Sequence, residues 1–337
     1  MGSVIPLKKE IDNAYIELKS LVGNRLEDVN QQIKYKLSSE ISLIQKITNH
    51  HLKSGGKRIR PLLTLGSAKL CGYNNGNRDV NLAACVELIH SATLLHDDVI
   101  DNSSLRRGIE TSNTIWGNQS SILVGDFLLS RCFEMMIEDG SQEILKLLSS
   151  TSSKIVQGEV LQLEYKGEID ILEETYFNII NLKTASLFAA ATRLGACISN
   201  KNKKEKDALE SYGRNIGIAF QIADDALDYY STKKIFGKEI GKDFFEGKIT
   251  LPIIFLYQKA NPSEKISLEK IFKKKNRSNL ELTETQNLIK KYNSIDFCFA
   301  RAEYFVNISH NALNLFNPSN EKAILQNLTS FSLERSF

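Results

Sequence analysis

Three carboxylates, Asp97, Asp98 and Asp101, close an apolar run and are followed at once by Arg106 and Arg107. On a helix, positions i and i+4 share a face about 5.4 Å apart along the axis, with the middle carboxylate roughly 100° round. Such a cluster repels itself and opposes the dipole of a helix C-terminus, so a hard divalent cation is its natural neutraliser. The two planar arginine forks suit phosphate oxygens. The same spacing returns at Asp224, Asp225 and Asp228, again behind an apolar run, IGIAFQIA. One triplet alone is as readily a solvated helix end. Two, each behind an apolar run, point to two helices facing one another across a cavity that holds metal and an anion.

Basic residues supply the rest of that chemistry. SGGKRIRP, residues 54–61, displays Lys57, Arg58 and Arg60 at the start of a helix opened by Pro61, an arrangement that binds anions. His90 lies two turns before Asp97 on nearly the same face and could donate to a second anion, although a lone histidine in an apolar helix is more often a satisfied core residue. Lys183 and Thr184 sit within LKTASLF, and a lysine in so apolar a segment needs an anion or a route to water. Lys238 and Lys242 lie on glycine-flexed chain after the second triplet. Six carboxylates and a diphosphate are brought near neutrality by the basic side chains and about three Mg²⁺. A second diphosphate on the other basic group makes head-to-tail condensation of two diphosphates the natural reaction.

The elements that must position these residues read as helices. Apolar residues recur at three and four, as in Leu82, Val86, Ile89 and Ala92, and only five prolines occur. Helices are expected over 5–22, 26–53, 79–102, 121–136 and 173–194, with one more ending near Tyr165. Phe127, Phe133, Met135 and Met136 are core by default and cavity floor by hypothesis. No Gly/Ser-rich linker divides the 337 residues, so one domain over 1–337 is expected. A net charge of +3 excludes nucleic acid as the main partner, and the basic runs at 201–206 and 273–277 read as solvated loops. Five cysteines without a CxxC pair fit reduced thiols in a cytoplasmic protein. No window approaches the ~18 apolar residues of a membrane span, though a lipophilic product could still bring the protein to a membrane.

The chain resembles the trans-isoprenyl diphosphate synthases, and most closely the octaprenyl to decaprenyl group that makes quinone side chains. GGKRIRP at 55–61, IHSATLLHDDVIDNSSLRRG at 89–108, LVGD at 123–126, GEVLQLE at 158–164, KTASLF at 183–188, FQIADDALD at 220–228 and GKDFFEGKITLP at 241–252 carry the resemblance. It implies a large orthogonal bundle of mainly antiparallel helices around a deep cavity, the isoprenoid synthase fold, usually as a homodimer. Asp97, Asp101 and Asp224, and more loosely Asp98, Asp225 and Asp228, would hold Mg²⁺ on the allylic diphosphate. Arg106, Lys183, Thr184, Gln221, Lys238 and Lys248 would contact that diphosphate, and Lys57, Arg60, His90 and Arg107 would contact isopentenyl diphosphate.

In the family, aromatic residues at the positions of Ala92 and Thr93 form a floor that stops growth at short products. Their absence implies an open passage and a stop set deeper, with Phe133 or Met136 as candidates. A shorter farnesyl or geranylgeranyl product is the alternative. Class I terpene cyclases generally carry a mixed second motif in place of DDALD, and noncatalytic partner subunits lose one or both acidic motifs, so both fit this sequence less well.

Overall fold

The computed structural model describes residues 7–230 and 241–332. Helices α1 (Leu7–Val22), α2 (Arg25–Lys36) and α3 (Ser42–Lys53) lead to α4 (Ile59–Leu70) and the long α5 (Arg78–Ile100). The expected helix over 26–53 is two helices. Ser38 donates its hydroxyl to the Tyr35 carbonyl at 2.7 Å and Ser39 accepts from the Ile41 amide, so local side-chain bonds replace the helical ladder between them. A two-residue antiparallel pair, β1 (Leu105–Arg106) with β2 (Ile109–Glu110), interrupts an otherwise helical order.

Next come α6 (Ser112–Trp116), α7 (Asn118–Asp139), α8 (Gln142–Glu164) and α9 (Glu173–Ile180), which passes through a π-helical turn, Asn181–Ala185, into α10 (Ser186–Ile198). Then α11 (Lys203–Tyr230), α12 (Lys242–Glu246), α13 (Leu251–Lys259), α14 (Pro262–Phe272), α15 (Asn279–Lys291), α16 (Ser294–Ala312) and α17 (Asn320–Leu328) complete the described chain.

Helix α5 is apolar on nearly every side and is correspondingly buried from Val80 to Leu95 almost throughout, against α4, α7 and α10. It runs antiparallel to α7, since Cys85 meets Cys132 while Leu95 accepts from the Ser121 hydroxyl at 3.0 Å. Helix α11 links two apolar cores. Leu209, Tyr212 and Ile216 join one with α5 and α10, whereas Ala219, Ile222 and Ala226 join a second with α9, α13 and α16. Both acidic triplets therefore end rigid helices set in packed cores.

One expectation fails on α7. Met135 and Met136 are buried, but Phe133 is 46% exposed and shares an outer face with Ile137. It is not a floor residue within this chain, because α7 turns its 133/137 stripe away from the core. Among the described residues no helix is long and apolar enough to cross a membrane.

Candidate functional site

The ends of α5 and α11 carry the two triplets, and each triplet divides in the same way. The middle aspartate turns inward. Asp98 is buried and receives Arg106 through both Nε and Nη2, at 3.0 and 2.7 Å to Oδ1. Asp225 is buried and accepts from the Tyr176 hydroxyl and from Gln221 Nε2, each at 2.7 Å. Burial, with Asp243 next, pushes the Asp225 carboxyl well above the usual range. The looser part expected for Asp98 and Asp225 agrees with this burial, whereas Asp228, expected to be as loose, stays with the flanking residues. Asp98 and Asp225 are tied into the protein, and the flanking aspartates, Asp97, Asp101, Asp224 and Asp228, are the half-buried ones.

Asp97 is the strained member. Burial pushes its carboxyl up to about 7, with Glu159 and Asp101 adding repulsion that Lys183 only partly offsets. Asp101 is partly desolvated too, which alone would raise it, but Lys248 and then Lys183 hold it below the ordinary value. Among the described residues no three His, Cys, Asp or Glu side chains converge into a preformed metal cluster. The donor chemistry still fits Mg²⁺. Asp97 and Asp101 offer hard carboxylate oxygens one turn apart, and a cation beside them would relieve the repulsion that raises Asp97.

One segment joins the two triplets. Lys248 Nζ donates to Asp101 at 3.0 Å and pairs with Glu246 at 2.7 Å. Lys242 Nζ reaches Ser103 Oγ at 2.8 Å, while the amides of Lys242 and Asp243 donate to the Asp228 carboxylate at 3.2 and 2.9 Å. Residues 241–248 thus span from the end of α11 to the end of α5. The sequence shows Lys242 only as a second lysine on flexible chain, and Lys238 lies outside the described residues.

Lys183 sits on the π-helical turn between α9 and α10. Its Nζ is held by Glu159 at 2.6 Å and by Gln162 at 3.0 Å, both from α8. Gly158 makes this possible, since a Cβ there would stand 2.6 Å from the Lys183 amide nitrogen. Thr184 donates to Gln221 Oε1 at 2.8 Å, so a continuous chain runs Thr184, Gln221, Asp225, Tyr176. Glu159, Gln162 and Tyr176 are absent from the candidates that the sequence suggests. Glu159 and Gln162 are three apart and polar in the apolar GEVLQLE stretch, which is the signal that could have found them.

The other basic group forms around the 54–61 turn. Arg107 Nη1 donates to the Gly55 carbonyl, and Gly56 leaves room for its guanidinium, since a Cβ there would lie 2.7 Å from Nη1. Arg58 is paired with buried Glu87, so it is engaged within the protein rather than displayed as the sequence implied. Arg60 stacks on Phe188 at 4.4 Å, and exposed Lys57 lies over the Tyr15 ring at 5.8 Å. Burial first, and then Arg60 and Arg106, pushes His90 well below its ordinary value, so it is a neutral hydrogen-bonding group. His51, which no sequence motif singles out, is pushed down to about 3 by burial and by Arg106, Arg58 and Arg107. Ala92 is fully buried, and half-buried Thr93 returns its hydroxyl to the His90 carbonyl at 2.8 Å.

Residues 41–289 match the family model described as polyprenyl synthetase. The chain belongs to the polyprenyl synthetase family, and it is a prenyltransferase. It is 37% identical over 307 residues to the all-trans-nonaprenyl-diphosphate synthase (geranyl-diphosphate specific) of Rhodobacter capsulatus, across 91% of this chain and 94% of that protein. It is 41% identical over 248 residues to the octaprenyl diphosphate synthase of Escherichia coli, across 74% of this chain and 76% of that one. The solved polyprenyl synthase from Caulobacter crescentus, complexed with calcium and isoprenyl diphosphate, superposes with a TM-score of 0.92 at 37% identity, over 96% of this chain and 98% of that chain. The helical architecture expected from the sequence is therefore the isoprenoid synthase fold of these relatives.

Proposed function

We propose that this prenyltransferase condenses isopentenyl diphosphate head to tail onto an allylic diphosphate, with about three Mg²⁺ per site, and makes an all-trans octaprenyl to decaprenyl diphosphate for quinone side chains. The observation that carries the site assignment is the bridge from Asp228 through residues 241–248 to Asp101, which sets both acidic motifs and two lysines around one place. The relatives named as octaprenyl and nonaprenyl synthases support the long product.

Asp97, Asp101, Asp224 and Asp228 would hold the ions, which when bound supply Lewis-acid polarisation of the departing diphosphate. Asp98 orients Arg106, and Asp225 with Tyr176 orients Gln221 and through it Thr184. Lys183 and Lys248 receive the allylic diphosphate, exchanging Glu159 and Asp101 for phosphate oxygens. Arg107, Arg60, Lys57 and neutral His90 hold isopentenyl diphosphate. The allylic C–O bond ionises, the isopentenyl double bond attacks the cation, and the proton lost goes to the released diphosphate. Electrostatic stabilisation by these fixed groups is the main catalytic effect.

The enzyme works as one domain and as a homodimer. Exposed Leu123, Phe133 and Ile137 on α7, beside Val156, Val160 and Leu163 on α8, support a subunit interface there. Five free, buried cysteines support a cytoplasmic, reducing location. The test is incubation with Mg²⁺, isopentenyl diphosphate and each of geranyl, farnesyl and geranylgeranyl diphosphate, then sizing of the dephosphorylated products. A ladder ending at eight to ten isoprene units is expected, and products that stop at three or four would refute the long-chain reading.

A further inference from the structure

The basic run at 273–277 divides on folding. Lys273, Lys274 and Lys275 are exposed as the sequence implied, but Arg277 is half-buried in the turn between α14 and α15. Its Nη2 donates to the Phe272 carbonyl at 2.7 Å and its Nη1 to the Phe245 carbonyl at 3.3 Å. The guanidinium also lies over the rings of Phe272 and Phe244, 5.2 and 5.9 Å from their centroids. Phe244 and Phe245 belong to α12, the short helix inside the segment that bridges the two acidic motifs.

The backbone of that segment is shaped to admit this arginine. Gly247 has φ +77°, a conformation that side-chain-bearing residues rarely adopt, and a Cβ on it would come within 2.9 Å of Arg277 Nη2. Its carbonyl accepts from the Gly167 amide at 3.0 Å. At the other end of the segment Gly241, also at φ +77°, would place a Cβ 2.6 Å from Leu282 of α15. The α14–α15 pair therefore contacts both ends of residues 241–247. Arg277 is itself held in place by the start of α15. Ser278 accepts from the Glu281 amide and the Glu281 carboxylate accepts from the Ser278 amide, a capping box that sets the first turn of α15 immediately beyond the arginine.

We propose that Arg277 is a positioning residue for the prenyl transfer, acting through Lys248: it fixes the 244–247 turn from behind and so holds the Lys248 ammonium beside Asp101. The last quarter of the chain, after 252, which shows little chemistry on the sequence, then has a defined task. Among the described residues the hydrogen bonds of Arg277 go to the Phe245 and Phe272 carbonyls and not to an aspartate of either motif. Anchored on the Phe272 carbonyl, Arg277 acts through the Phe245 carbonyl and a glycine turn on one side chain, Lys248, whose Nζ is 3.0 Å from Asp101. A lysine could keep charge over the aromatic rings but not the fork that reaches two carbonyls at once.

This inference rests on the reading of Lys248 as a group that receives the allylic diphosphate, and a double-mutant cycle separates the two. The full chain is assayed with Mg²⁺, farnesyl diphosphate and isopentenyl diphosphate as wild type, Arg277→Ala, Lys248→Ala and the double variant. Arg277→Ala is expected to lower kcat/KM for farnesyl diphosphate at least tenfold while KM for isopentenyl diphosphate stays within twofold. In the Lys248→Ala background the same change should cost less than twofold. Arg277→Lys, which keeps the cation and most of the stem, should fall between wild type and Arg277→Ala, and it serves as the first arm if Arg277→Ala does not fold. Lys275→Ala in the same turn should behave as wild type. Equal losses in both backgrounds, or equal effects on both substrates, would make Arg277 merely structural and overturn the proposal. A Lys248→Ala enzyme with normal kinetics would instead overturn the reading of Lys248 beneath it.

Discussion

Asp97→Asn should make the metal-free protein more stable while removing its activity. The carboxyl stands at about 7 in the fold against 3.8 as a free group, because burial, Glu159 and Asp101 all disfavour its charge. Above pH 7 it is ionised in both folded and unfolded chains, and the fold bears the difference. At about 1.36 kcal/mol per unit that is at most ~4 kcal/mol, and the partial exposure of the side chain brings it to about 2–3 kcal/mol. Unfolding entropy of ~2.1 cal/mol/K per residue, over 337 residues, then gives a rise in Tm of roughly 3–4 °C.

The sign depends on pH. A raised carboxyl carries no penalty below its unfolded value and the full penalty above its folded one, so the advantage of asparagine should grow between pH 4 and 7 and then level off. Thermal unfolding in EDTA at pH 5 and pH 8 measures this, with less than half of the pH 8 gain expected at pH 5. Turnover with Mg²⁺ should fall by several orders of magnitude in the same variant. An Asp97→Asn protein that melts at or below wild type in EDTA at pH 8 would refute the electrostatic account, and one that keeps normal turnover would refute the role of the carboxylate. Such a trade of stability for activity is common where a site must hold charge ready for a ligand.

The two basic groups should separate in steady-state kinetics. Lys57→Ala or Arg60→Ala should raise KM for isopentenyl diphosphate about tenfold or more, whereas Lys183→Ala should impair chiefly the allylic step, and equal effects on both substrates would contradict the assignment. Ala92→Phe adds a ring at a fully buried position; product sizing should show a shift toward farnesyl or geranylgeranyl diphosphate, and a folded, active variant with unchanged product length would exclude Ala92 from the tail passage. His51 is held neutral, with a folded value of about 3 against 6.5. The unfolded chain therefore binds more protons between these values, and its contribution is lost by about 1.4 kcal/mol for each pH unit below 6.5; His51→Gln should flatten the fall of Tm with acid, and an unchanged slope would show that His51 is not its source.

The sequence by itself determined the fold class and the family, and it supplied most of the candidates for the site. Helical periodicity, two acidic triplets at i, i+1 and i+4, and clustered arginines are local patterns whose meaning comes from the geometry of one helix, and they lead to α5, α11 and the 54–61 turn without knowledge of their neighbours. The break at 37–41 was less legible, because two serine side chains decide it by local bonds that an amphipathic pattern hides. What only the tertiary structure decided is the partner of each charge. Lys248 meets Asp101 across 147 residues of sequence, Tyr176 meets Asp225 across 49, and Arg277 reaches Phe245 across 32. Helix geometry sets the middle aspartate of each triplet apart; packing makes Asp98 and Asp225 buried hydrogen-bonded supports and leaves the flanking four half-buried. It likewise turns Phe133 outward and draws Arg277 inward. The physical reason is that a side chain's charge state and partners are set by burial and by whichever helix lies across from it, and those depend on how helices from distant parts of the chain pack.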